Sequence, residues 1–122
     1  QVMLIGDATP NSMSEVTNRR RNRGENYWSS TRFANPTFYQ TELQQLTNEG
    51  IQVHAFYVHS GAKQSFEEIA SAGNGRCEAL DIASPSGAEM LTNLVTEEIL
   101  RNVGGGGQRG AELVKEYRKR YS

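Results

Sequence analysis

Short apolar runs alternate along this chain with stretches of helical periodicity, and this alternation restricts the possible folds more than any other feature. Residues 2–5, 51–58 and 77–82 predict three strands, and the middle run, "IQVHAFYV", is rich in β-branched and aromatic residues. Strands separated by helices are joined by right-handed crossovers, which make the strands parallel and place the helices on the faces of the sheet. We therefore predict an α/β fold with three parallel strands in chain order.

Helical periodicity occupies most of the intervening sequence. In "NPTFYQTELQQLTNEG", Asn35 is suited to cap a helix and Pro36 to occupy its first position. The segment "KQSFEEIASA" predicts a shorter helix, and "SPSGAEMLTNLVTEEILRNV" predicts the strongest one, opened by a capping box of Ser86 and Glu89. The polar and basic residues 9–34 predict instead a long loop with one helical turn.

The length of 122 residues fits one small domain. We expect that domain to cover residues 1–103. Four consecutive glycines then open a flexible linker over residues 104–110, and residues 111–122 predict a C-terminal amphipathic helix. Because the chain starts at Gln1, we expect it to be an excerpt of a longer protein.

Charge and cysteine content limit the classes of partner and compartment. The formal net charge of -1 gives no overall field that would attract nucleic acid, so we predict no nucleic-acid partner and interpret "RRRNRG" as a solvated segment. No segment approaches the ~20 apolar residues that a membrane span needs. The single cysteine, Cys77, favours a reducing compartment, and we expect a cytoplasmic location.

Three motifs occur in an order that resembles one protein family. The segments "LIGDATPN", "LTNEGIQVHAFYV" and "FEEIASAGNGRCEALD" are similar, in order and spacing, to the second half of a von Willebrand factor type A (vWA) domain. The resemblance spans residues 2–103, although "GNG" places Asn74 between the two glycines of the family's Gly-Gly element. It implies a three-layer, Rossmann-like parallel sheet with flanking helices, incomplete here because the family's first strands precede this half.

The resemblance also implies a function. Most vWA domains are protein-interaction modules used in adhesion or assembly and are not enzymes, so no catalytic residue is predicted. Many hold Mg²⁺, or Mn²⁺, at a metal-ion-dependent adhesion site that also binds an acidic side chain of the protein partner. That site combines an Asp-x-Ser-x-Ser loop, a threonine and an aspartate. The resemblance assigns the aspartate to Asp7, which acts through metal-bound water, with Thr9 beside it.

Only part of that metal site is present in the sequence. The chain contains no Asp-x-Ser-x-Ser motif, and one carboxylate does not satisfy a cation that needs about six oxygen ligands. We therefore expect no tight cation site in this chain alone, and a Mg²⁺ or Mn²⁺ site in the intact domain. Asn11, His59 and Ser60 are predicted to contact the partner, because ligands of parallel sheets bind beyond the carboxyl ends of the strands.

Two further expectations follow from the sequence. Without the family's first strand, residues 2–5 become an open sheet edge, which favours self-association of this fragment. The alternative function is a magnesium-dependent hydrolase acting on phosphate, because Gly-Asp after an apolar strand also occurs in such enzymes. Against it, no nucleophile is spaced to work with His59, and we expect His54 to pack or to face the surface.

Overall fold

The computed structural model describes residues 1–121, and the chain divides into two compact units, Gln1–Ala79 and Leu80–Ser122. The division falls well before residue 103, where the sequence predicted the end of the domain. The long helix after the third strand therefore belongs to the same unit as the C-terminal helix.

The first unit contains a three-stranded parallel sheet. Its strands are β1 (Val2–Gly6), β2 (Val53–Tyr57) and β3 (Asn74–Ala79), in the spatial order β1-β2-β3. The α/β class and the parallel strand order are thus confirmed. The third strand begins and ends three residues earlier than predicted, because Asn74 already pairs with Val53, ahead of a register irregularity at which β3 has one residue more than β2.

Two helices pack against one face of this sheet. They are α3 (Tyr39–Asn48) and α4 (Lys63–Ala72), and α4 follows a 3₁₀ turn at Ser60–Ala62. Three residues of α4 are buried in the core with Val53 and Ala55 of β2; they are Phe66, Ile69 and Ala70. Leu43 and Leu46 of α3 complete this apolar layer.

The segment predicted to be a long loop forms two helices, and that prediction is wrong. They are α1 (Met13–Arg23) and α2 (Glu25–Ser29). A capping box opens α1: the Glu15 N–H donates to Ser12 Oγ at 3.2 Å, and the Ser12 N–H donates to Glu15 Oε2 at 2.6 Å. The hydrogen bond from the Ser12 N–H, and then the Ser12 side chain, lower the pKa of the Glu15 carboxyl.

The predicted start of α3 is also wrong. The helix begins at Tyr39, and the extended Phe38 is its N-terminal boundary residue without a side-chain hydrogen bond. Asn35 and Pro36 precede the helix and line a cavity described below. Beyond the other end of α3, Gly50 adopts a φ of 72°, a conformation that favours glycine and ends the helix as expected.

The second unit consists of α5 (Gly87–Val103) and α6 (Gly107–Tyr121). The two helices are paired through Arg118, which donates two hydrogen bonds of 2.8 Å to the buried carboxylate of Glu97. The Tyr117 hydroxyl donates to Asn93 Oδ1 at 2.7 Å. Along residues 1–121, no helix is long and apolar enough to cross a membrane.

Two sequence predictions in this unit need correction. The capping box of Ser86 and Glu89 does not form, because Ser86 lacks the extended backbone that such a cap requires, with φ -96° and ψ 6°. The linker predicted over residues 104–110 is shorter, because α6 begins at Gly107. Gly110 is buried in α6, where a Cβ atom would lie 2.8 Å from the Arg101 carbonyl oxygen.

Candidate functional site

The residues assigned to a metal site lie just beyond the carboxyl end of β1. Asp7 directly follows Gly6, and both Asp7 and Thr9 are exposed. Among residues 1–121, no three His, Cys, Asp or Glu side chains are grouped so that they could hold a metal ion. One exposed carboxylate does not fit Mg²⁺, which keeps a near-octahedral set of oxygen ligands.

The predicted partner-contacting residues fall in two different places. Gly6 pairs with Tyr57, so the segments that follow β1 and β2 leave the same end of the sheet. His59 lies there, and its Nδ1 accepts the Gly61 N–H at 3.0 Å, which caps the 3₁₀ turn begun by the exposed Ser60. Asn11, in contrast, lines a large cavity beside the sheet.

His54 has a structural role at the other end of β2. The residue is fully buried, its Nδ1 accepts the Arg76 N–H at 3.0 Å, and its Nε2 lies 3.2 Å from Gln1 Oε1. Because Nδ1 is an acceptor, the ring carries its proton on Nε2 and can donate it to Gln1. Of the two positions that the sequence left open for His54, packed or surface-facing, the structure shows the packed one.

Cys77 on β3 is partly buried and packs against the core of the first unit. Burial raises the pKa of its thiol, and the nearby carboxylates of Glu67 and Glu78 raise it further. The thiolate is the reactive form of cysteine, so these surroundings make Cys77 a poor nucleophile at neutral pH.

β1 lies at an edge of the three-stranded sheet and pairs only with β2. The Val2 N–H donates to the Gln52 carbonyl at 2.7 Å, and the Gly6 carbonyl accepts the Val58 N–H at 2.9 Å. Backbone groups alternate in direction along a parallel strand, so those of Met3 and Ile5 point away from β2. We call these outward groups the β1 edge. The strand carries no charge or proline that would protect it.

An apolar cavity of about 710 Å³ lies on the side of the sheet that α3 and α4 cover. Leu4 of β1 lines it, and so do Val16 of α1, Trp28 of α2 and Leu43 of α3. Further walls come from the segment between α2 and α3, with Phe33, Pro36 and Phe38. We call this space the aromatic cavity. Because Leu4 belongs to β1, the cavity borders the strand that carries the β1 edge.

Arg20 holds the outer wall of the aromatic cavity in place. The side chain is buried and donates to the carbonyls of Phe33 and Ala34, each at 2.8 Å, and to both carboxylate oxygens of Glu25. In turn, the Trp28 indole N–H donates to the Arg20 carbonyl at 2.9 Å. One arginine thus joins α1, α2 and the segment that leads to α3.

Sequence reasoning missed the cavity and Arg20 because residues 9–34 were interpreted as a loop. One signal was available: Ser12 and Glu15 have the spacing of a capping box and place Val16 and Arg20 on the same side of the following helix.

The fold and the site together define an α/β protein with an open parallel sheet edge beside an apolar cavity. Comparison of the chain with protein-family models, curated proteins and solved structures gave no match.

Proposed function

We propose that the chain is a protein-interaction module of vWA type, used in adhesion or assembly, and that it associates through the β1 edge. The observation that supports this proposal is the exposure of an apolar strand: Val2, Leu4 and Ile5 have exposed fractions of 39%, 38% and 44%. An apolar strand with unpaired backbone groups gains hydrogen bonds and apolar burial when another chain adds to it.

Asp7 has a secondary place in this proposal. In the intact domain Mg²⁺ or Mn²⁺ would take further ligands from groups outside this chain, and Asp7 would contact the cation through water. The described residues do not supply those ligands, so the interaction that the chain itself offers is the β1 edge. The hydrolase alternative gains no support from a specific contact, because the His59 ring caps a turn.

The test is sedimentation analysis of the chain over a wide concentration range. We expect self-association when no other partner is present, because water is then the only alternative to a second copy. Ile5→Pro removes an outward N–H and leaves the β1–β2 hydrogen bonds intact, so it should return the chain to a monomer. Ile5→Val is the matched control, because it keeps the N–H and a β-branched side chain.

A folded chain that stays monomeric at high concentration would contradict the proposal. So would association that Ile5→Pro leaves unchanged, because the contact would then lie elsewhere.

A further inference from the structure

The shape and charge of the surface beside β1 restrict what can bind there. We infer that the preferred occupant is an extended segment of another protein, in which apolar side chains alternate with polar ones and acidic residues follow. This inference rests on the proposed function and deepens it, because it names the chemistry of the partner.

The β1 edge determines the backbone conformation of the occupant. Met3 and Ile5 each present one N–H and one carbonyl away from β2, spaced as in any β-strand. A segment that pairs with all four groups must itself be extended. It would lie ~4.8 Å from β1, the ordinary separation between strands.

The aromatic cavity determines which side chains of the occupant are favoured. Side chains of an added strand alternate between the two faces of the sheet, so every second one lies on the same face as Leu4. That face opens into the cavity of about 710 Å³, whose walls include Trp28, Phe33 and Phe38. Its volume is in the range that encloses small apolar ligands, so it can receive large apolar side chains at alternate positions.

Helix α1 determines the charge that is favoured in the occupant. This helix carries Arg19, Arg21 and Arg23 on its exposed surface, against one acid, Glu15. Arg19 also lines the cavity, whereas Arg20 is already paired with Glu25. Acidic residues of the occupant are therefore favoured on the α1 side.

The same charge argument disfavours a second copy of this chain as the preferred occupant. The β1 sequence, VMLIG, is followed by a single acid, Asp7, and the next acid is Glu15 of α1. A second copy would also bring another arginine-rich α1. Glu42 of α3 lines the cavity too, so acidic residues placed toward α3 would be repelled.

A synthetic peptide tests the inference. In the peptide, valine and leucine alternate with threonine, and two glutamates follow; a control peptide ends in two lysines. The protein is used at a concentration at which it is monomeric. Trp28 is the only tryptophan in the chain and lines the cavity, so its fluorescence reports binding.

We expect saturable binding of the glutamate peptide, with a change in Trp28 emission. Ile5→Pro should weaken binding about tenfold, because a backbone hydrogen bond is lost and the ring hinders approach. Arg19→Glu should weaken binding of the glutamate peptide about threefold and strengthen that of the lysine peptide. Arg21→Glu is the matched control and should have less effect, because Arg21 does not line the cavity.

Three outcomes would overturn one or both of the proposals. Self-association through the β1 edge without peptide binding would overturn this inference and leave the proposed function standing. Equal binding of the glutamate and lysine peptides would overturn the acidic partner. Neither self-association nor peptide binding, in a folded chain, would overturn both proposals.

Discussion

At the scale of single residues, Arg20 has the largest structural role in the candidate site. Its guanidinium binds two carbonyls and one carboxylate, and it lies 5.1 Å from the centre of the Trp28 ring. Arginine is suited to this position, because its planar group donates in several directions at once. Arg21, the next residue, is exposed and has no comparable role.

Arg20→Lys should therefore destabilise the first unit although it keeps the charge. An ammonium group cannot reach both carbonyls and Glu25 together, so we expect a loss of ~2 kcal/mol in the free energy of unfolding. Urea unfolding followed by Trp28 fluorescence measures this loss. Arg21→Lys is the control and should change stability little. Equal stability of the two variants would show that the Arg20 hydrogen bonds contribute little.

Cys77 gives a second prediction at this scale. Because burial and two nearby carboxylates raise the pKa of its thiol, the thiolate fraction at mildly alkaline pH is lower in the folded chain than in the unfolded chain. Alkylation by iodoacetamide at such a pH should be slower in the folded chain than in urea. The pH at which the rate is half-maximal should be higher for the folded chain. Equal rates and profiles would contradict the raised pKa.

At the scale of elements, the strands were easier to predict than their ends. The β2 run was evident from its β-branched and aromatic residues, and α4 from its apolar spacing. The start of β3 was missed because it depends on a close approach of two backbones, which leaves no periodic signal. Gly75 lies so near the Val53 carbonyl that a Cβ atom could not be accommodated.

Gly75→Ala should consequently disturb the pairing of β2 and β3. The added methyl group would overlap the Val53 carbonyl oxygen, so the backbone must move. The control is Gly50→Ala, where open space surrounds the Cβ position but φ is +72°, a conformation that costs about 1 kcal/mol. We expect Gly75→Ala to lower the free energy of unfolding at least twice as much as Gly50→Ala does. A smaller loss would show that the backbone of β3 adapts at its extra residue.

At the scale of the whole molecule, local patterns predicted the fold class but not the cavity. Alternation of strands and helices implied the parallel sheet, because crossover handedness allows few other arrangements. The aromatic cavity, in contrast, is built from β1, both helices of residues 13–29, the segment before α3, and α3 itself. No single stretch of sequence has a pattern that predicts how these elements pack together. The vWA resemblance, with its metal site and partner, stays a prediction.

Metal addition gives the last prediction. Beyond the carboxyl end of β1 the chain offers Mg²⁺ one exposed carboxylate, Asp7, and among the described residues no three possible ligands are grouped. Magnesium gives up water reluctantly and requires near-octahedral coordination. We therefore expect titration calorimetry of the chain with magnesium, or with manganese, to show no tight saturable binding. Thermal unfolding should be the same with millimolar magnesium and with a chelator.

Asp7→Asn is the matched variant, because it removes the charge and keeps the shape of the side chain. Since Asp7 is exposed, the variant should unfold at the same temperature as the original chain, with or without metal. Tight magnesium binding that Asp7→Asn abolishes would show that this chain holds the cation unaided. Tight binding that the variant retains would place a site away from β1. If neither protein binds magnesium tightly, the expectation of no tight cation site in this chain alone is confirmed.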